Sequence, residues 1–177
     1  MCDLSAYDVI CEKIQWADII YVGGGNTLKL MNLFRKYRID ELLRDAYHQN
    51  KVLCGLSAGA ICWCAYGNSD SRKYTSESEK LIKVTGLGFL PILMCPHYDV
   101  DTHRRGSLKD MMRTTYKMPA LALDNGAALK VIDDKYKIIT SAIGAKATKC
   151  FWKNSEYIER PLEKDVFLNL EDLYGKF

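Results

Sequence analysis

The chain has 177 residues, 48% of them hydrophobic and 27% charged, with a net charge of +3. That is one ordinary globular domain, long enough to bury a substantial core. The basic residues are scattered rather than striped, which excludes a nucleic-acid footprint. No charge-free apolar run of about 18 residues occurs, which excludes a transmembrane helix.

In chain order, Val9 to Trp16 reads as helical, and Asp18 to Val22 as a short buried strand running into Gly23-Gly24-Gly25-Asn26-Thr27. Leu28, Leu30, Met31, Leu33 and Phe34 have helical spacing, and Ile39 to His48 forms a second helical segment. Lys51 to Cys54 is a strand. After Gly55 to Gly59 an apolar helix is expected through Ile61, Cys62 and Ala65. Gly67 to Lys83 is polar and reads as a loop with room for a hairpin. Leu90 to Cys95 is a strand ending at Pro96-His97, and Thr102 to Tyr116 is helical. Ala120 to Asp124, Ala127 to Ile132 and Tyr136 to Thr140 are strands, the last two joined by a hairpin turn at Asp133-Asp134-Lys135. Short apolar runs alternating with amphipathic stretches define an α/β class.

The seven cysteines make an odd number, and Cys54, Cys62, Cys64 and Cys95 lie inside apolar runs. Cys62 and Cys64 have neither redox nor zinc spacing. These are core residues of a reducing, cytoplasmic compartment. The N-terminus carries Cys2, Asp3 and Asp8 and does not read as a secretory signal.

Gly55-Leu56-Ser57-Ala58-Gly59 matches the G-x-S-x-G nucleophile elbow, with a strand before and a helix after. The pattern needs small flanking residues because the serine sits on a sharp, strained turn. Ala58 then offers a backbone N–H to a developing oxyanion. The glycine run at Gly23 to Gly25 lacks dinucleotide and P-loop spacing; it is either a structural turn capped by Asn26 or Thr27, or a second oxyanion donor.

Three histidines compete for the role of base. His48 lies at a polar helix end, and His103 is followed by two arginines. His97 ends an apolar strand, where parallel α/β sheets place their functional residues. An acid should orient the imidazole. Asp124 ends the next strand, and Asp70 and Glu77 are alternatives. The order serine, histidine, acid is not that of an α/β-hydrolase, whose histidine comes last.

Ile19-Ile20-Tyr21-Val22-Gly23-Gly24-Gly25-Asn26-Thr27, then Gly55-Leu56-Ser57-Ala58-Gly59-Ala60, then Cys95-Pro96-His97-Tyr98 together resemble the peptidase E family of aspartyl dipeptidases, relatives of cyanophycinase. The resemblance implies a flavodoxin-like three-layer sandwich with a mostly parallel sheet, akin to class I glutamine amidotransferases. It implies Ser57 as nucleophile, His97 as base, Gly25 and Ala58 as oxyanion hole, and no cofactor or metal. The substrate it implies is a small peptide with an N-terminal aspartate, bound by Asn26 and by Arg104 or Arg105; cyanophycinase-like hydrolysis and a silent, ligand-binding member are the alternatives. In that family the acid stands immediately before a glycine. Alignment on Gly126 puts Asn125 there, with Asp124 one residue earlier.

Family members also carry two strands before the segment ending in the glycine run. Here only about twenty residues precede it, room for one helix and one strand. The expectation is a single domain over residues 1–177 that lacks N-terminal strands and is either poorly soluble or pairs its open edge in a homodimer, unless a segment near Phe151 or Val166 fills the gap.

Overall fold

The computed structural model describes residues 6–74, 78–100, 102–115 and 118–175. Helix α1 (Ala6–Trp16) leads into β1 (Ile19–Val22), followed by α2 (Thr27–Lys36), α3 (Ile39–His48) and β2 (Val52–Gly55). The elbow carries a single turn, α4 (Ala58–Ile61), and then β3 (Cys64–Ser69), a 3₁₀ turn (Ser71–Tyr74), β4 (Ile82–Thr85) and β5 (Leu90–Cys95). Beyond α5 (Thr102–Arg113) come β6 (Ala120–Leu123), β7 (Ala127–Ile132), β8 (Lys135–Thr140), β9 (Ala147–Lys153), β10 (Glu156–Pro161), β11 (Leu168–Asn169) and α6 (Leu170–Tyr174).

The strands form three sheets: β1-β2, the six-stranded β10-β9-β6-β5-β3-β4, and β11-β8-β7. Parallel pairing joins β1 to β2, β3 to β5 and β5 to β6. The other pairs of named strands among the described residues are antiparallel. The chain is therefore mixed α/β, and the mostly parallel sheet expected from the resemblance is corrected. The physical reason lies in the connections: helical crossovers join β1 to β2 and β5 to β6, whereas β3–β4, β7–β8 and β9–β10 are consecutive strands paired as neighbours, which runs them antiparallel.

Side-chain alternation along β5 and β6 shows why the large sheet must be covered twice. Ile92 and Met94 with Leu121 and Leu123 face a cluster that contains Tyr136, Ile138 and Leu173. Leu93 and Cys95 with Ala120 and Ala122 face Leu108 and Met112 of α5. One face thus carries the β7–β8 hairpin and α6, the other a helix. A third cluster, from Val22, Met31 and Leu43 to Trp63 and Val84, ties the β1-β2 unit to β3 and β4.

The helix expected to run from the elbow through Ala65 is cut short at Ile61, and Cys64 already belongs to a strand. Cys62 and Cys64 are fully buried, as a core role requires, and none of the six described cysteines is in a disulfide. On the outer side Ile19, Tyr21 and Val52 of the small sheet, with Trp16, are exposed. No helix among the described residues is long and apolar enough to cross a membrane.

Burial pushes the Cys64 thiol up to about 12 and that of Cys150 to about 11, and it raises Cys62 as well. In the unfolded chain such thiols ionise near 9.0, while the folded chain keeps their protons. Their contribution is therefore complete below pH 9 and is lost as pH climbs toward 11 and beyond. Lys149, pushed down to about 8 chiefly by desolvation, works with the opposite sign but is one group. The urea midpoint is expected to fall between pH 8.5 and 10.5, and a Cys64→Ala/Cys150→Ala variant should flatten that fall; an unchanged slope would contradict it.

Candidate active site

Two strand ends meet at this site. Ser57 follows β2 and precedes α4, with φ 55 and ψ −109. A non-glycine residue in this region stores about 1–3 kcal/mol of backbone strain, and the surroundings enforce it. A Cβ on Gly59 would lie 1.9 Å from the Val22 carbonyl oxygen, and one on Gly55 would lie 2.4 Å from the Gly59 oxygen. Only glycine at both positions lets β1, β2 and α4 close together, and the turn this leaves thrusts Ser57 outward. Gly24 runs alongside, its hypothetical Cβ 3.5 Å from Ser57 Cβ.

His97 follows β5 with φ 57, so both residues of the expected pair adopt a left-handed backbone. Ser57 Oγ–H donates to His97 Nε2 at 3.0 Å, and His97 Nδ1–H donates to Asn125 Oδ1 at 2.7 Å. An amide oxygen can only accept, so in the neutral imidazole the proton resides on Nδ1 and Nε2 keeps its lone pair toward the serine. That is the tautomer a general base needs.

The residue placed against His97 is thus Asn125, and the expectation for Asp124 is corrected. Asp124 Oδ2 accepts the Lys146 N–H at 2.9 Å, and the Asp124 N–H donates back to the Lys146 carbonyl at 3.0 Å. Its carboxylate braces the loop beneath Asn125. Asp70 lies instead beside Arg104, Oδ2 to Nη2 at 3.6 Å. Glu77 falls outside the described residues. His48 and His103 stand apart on exposed positions.

Ala58 is buried and opens α4. Its N–H and that of Gly25 have no backbone hydrogen-bond partner among the described residues, as expected for a first helical turn and an open glycine loop. With α4 only one turn long, the local N–H and not a long helix dipole would meet an anion. Asn26, expected to touch substrate, is engaged by the protein. Its Oδ1 caps α2 by accepting the Lys29 N–H at 3.0 Å, and its Nδ2 donates to the Ser71 carbonyl at 3.1 Å.

The two candidate arginines diverge. Arg104 is 4% exposed and donates from Nη1 to the Asn68 carbonyl at 3.1 Å. Its Asp70 partner adjoins Ser71, whose carbonyl accepts from Asn26. Arg105 turns outward, its guanidinium 4.9 Å from the Tyr98 ring centre and 3.8 Å from Glu159.

This fold and site define a nucleophile-elbow α/β protein with a serine–histidine–amide arrangement. The sequence matches peptidase family S51 over residues 4–139, and the chain belongs to that family. It is 38% identical to the uncharacterized peptidase YgaJ of Bacillus subtilis, over 82% of this chain and 61% of that one. It is 25% identical to peptidase E of a Nostoc species, over 72% of this chain and 54% of that protein. It therefore spans only part of the length of these curated relatives. Among solved structures, a peptidase from an acI-B1 Actinobacterium superposes with a TM-score of 0.59 at 18% identity, covering 91% of this chain and 63% of that chain. A putative peptidase E protein from Listeria monocytogenes gives 0.52 at 21%, covering 90% and 67%. Both likenesses support the fold.

The elbow geometry is open to a direct test. Gly59→Ala is expected to lower stability by about 1–3 kcal/mol, because backbone must move to admit the methyl group. Gly106→Ala, on α5 with open space at its Cβ, should raise it by up to ~1 kcal/mol through helix propensity. Equal melting temperatures for the two variants would contradict the close packing of the elbow.

Proposed function

We propose that the chain is a serine peptidase acting on short peptides with an acidic N-terminal residue. The observation that carries this reading is the continuous relay from Ser57 Oγ through His97 to Asn125 Oδ1. As the Ser57 oxygen attacks the peptide carbonyl carbon, its proton passes to His97 Nε2. The carbonyl oxygen becomes an oxyanion in reach of the Ala58 and Gly25 N–H groups. The C–N bond then breaks, the amine leaves with the proton from His97, and an acyl-serine remains. Water, deprotonated by His97, hydrolyses that ester and regenerates the hydroxyl. Asn125 keeps the ring in the accepting tautomer, though a neutral amide gives the imidazolium less support than a carboxylate. The cysteine–histidine–asparagine peptidases show that an amide suffices in this place. The steps use no cofactor, and the free thiols support a cytoplasmic setting.

For the acidic residue of the substrate, Arg104 is the better candidate. It pairs at 3.6 Å with the partly exposed Asp70, whose neighbour Ser71 accepts from Asn26, and that pair is loose enough to be exchanged for a better-aligned carboxylate. Arg105 is occupied on the opposite side by Tyr98 and Glu159.

Ser57→Ala should reduce kcat by several orders of magnitude, on the order of 10⁴-fold or more, with the melt unchanged. Retention of a tenth of the activity would remove Ser57 from its role. Across Asp-X, Glu-X and Ala-X dipeptides, Arg104→Met should raise KM for the acidic substrates selectively, and Arg105→Met should not. A reversed pattern would move the specificity contact to Arg105.

A further inference from the structure

The turn after β5 and the turn after β6 are laced together by three hydrogen bonds. The Tyr98 N–H donates to the Leu123 carbonyl at 3.0 Å. The His97 imidazole donates to the Asn125 side chain, and the Asn125 backbone N–H donates to Asp99 Oδ1 at 2.8 Å. Asp99 thus grips the main chain of the residue whose side chain orients the base. From below, Asp124 fixes the preceding peptide to Lys146.

Each clamp answers a mechanical need. His97 occupies a left-handed backbone on a turn, and Asn125 lies in an exposed turn of its own. Neither position has the rigidity of a strand. A neutral amide also aligns an imidazole less strongly than a carboxylate does, because the bond lacks charge assistance. Orientation must then come from holding the amide's backbone still, and the Asp99 carboxylate makes a charge-assisted bond to that backbone.

We propose that Asp99 is a positioning residue of the reaction, acting through Asn125 to hold the His97 ring toward Ser57. The inference rests on the serine peptidase reading above. Asp99 makes no contact with substrate; it fixes where Asn125 Oδ1 stands, and through it the direction of Nε2.

The test compares Asp99→Ala, Asp99→Asn, Asn125→Ala and Asp99→Ala/Asn125→Ala, by peptide turnover and by the rate of Ser57 labelling with a fluorophosphonate. Asp99→Ala should lower kcat and the labelling rate by about 10- to 100-fold, the scale of an ångström-sized misplacement, with KM nearly constant. Asp99→Asn retains an acceptor oxygen and should recover to within about threefold of the parent. The double variant should be no slower than Asn125→Ala, because both changes break one relay. Multiplying losses, an Asn variant as slow as Ala, or an Ala variant as fast as the parent would each overturn the positioning role. Melting curves separate a misfolded Asp99→Ala from a mispositioned one, and Asp99→Asn carries the test if Ala fails to fold. If the parent chain itself is not labelled at Ser57, the peptidase reading falls, and the Asp99 role falls with it. Labelling of the parent with no effect at Asp99 removes the Asp99 role alone.

Discussion

Everything at this site depends on the contact between Gly59 and the Val22 carbonyl. With no side chain at position 59, the turn after β2 sits directly on the end of β1, where a Cβ would come within 1.9 Å of that oxygen. The close approach fixes the path of the elbow, holds Ser57 at a positive φ, and brings the glycine loop past its Cβ. The backbone strain at Ser57 is sustained on its inner side, where Ala58, Ile61, Cys62 and Trp63 are buried. An elbow with a methyl group at either flank would have to open, and the hydroxyl would leave the reach of His97.

The second half of the site belongs to a different sheet, and a polar relay bridges the two. β1 and β2 carry the nucleophile; β5 and β6 carry the base and the amide. The apolar cluster from Val22 to Val84 sets the distance between the sheets. Ser57 Oγ and His97 Nε2 then close it at 3.0 Å. Charge is arranged sparingly: a neutral amide stands next to the imidazole, while two carboxylates, Asp99 and Asp124, grip backbone N–H groups around it.

Much of this was legible in the residues. The elbow, the strand leading to His97, the hairpin at Asp133-Asp134 and the two helices after the glycine run all announce themselves by local chemistry. What the sequence hides is decided at a distance. The helix after Ser57 ends at Ile61 because the chain from Cys64 onward is recruited into a strand against β5, a choice made by pairing and not by propensity. The strands β9 and β10 carry charged and polar residues such as Lys149, Lys153 and Glu159 between their apolar ones, so their pattern is weak. Asp124 and Asn125 are neighbours, and chemistry favours the acid. Only the turn geometry decides that the amide faces the imidazole while the carboxylate faces Lys146. Asp99 left one signal, an acid two residues beyond the histidine, but its partner is a backbone N–H that no side-chain pattern encodes.

The positive φ of Ser57 also restricts which nucleophiles evolution can try there. At φ 55 the side chain has little freedom to avoid the flanking carbonyls, and branching at Cβ makes the crowding worse. Threonine, chemically a competent nucleophile, is closed to this position by its methyl group. Cysteine, unbranched and nearly isosteric with serine, fits the same turn. The backbone therefore permits a change of attacking atom from oxygen to sulfur, while it forbids the smaller-looking change from one alcohol to another.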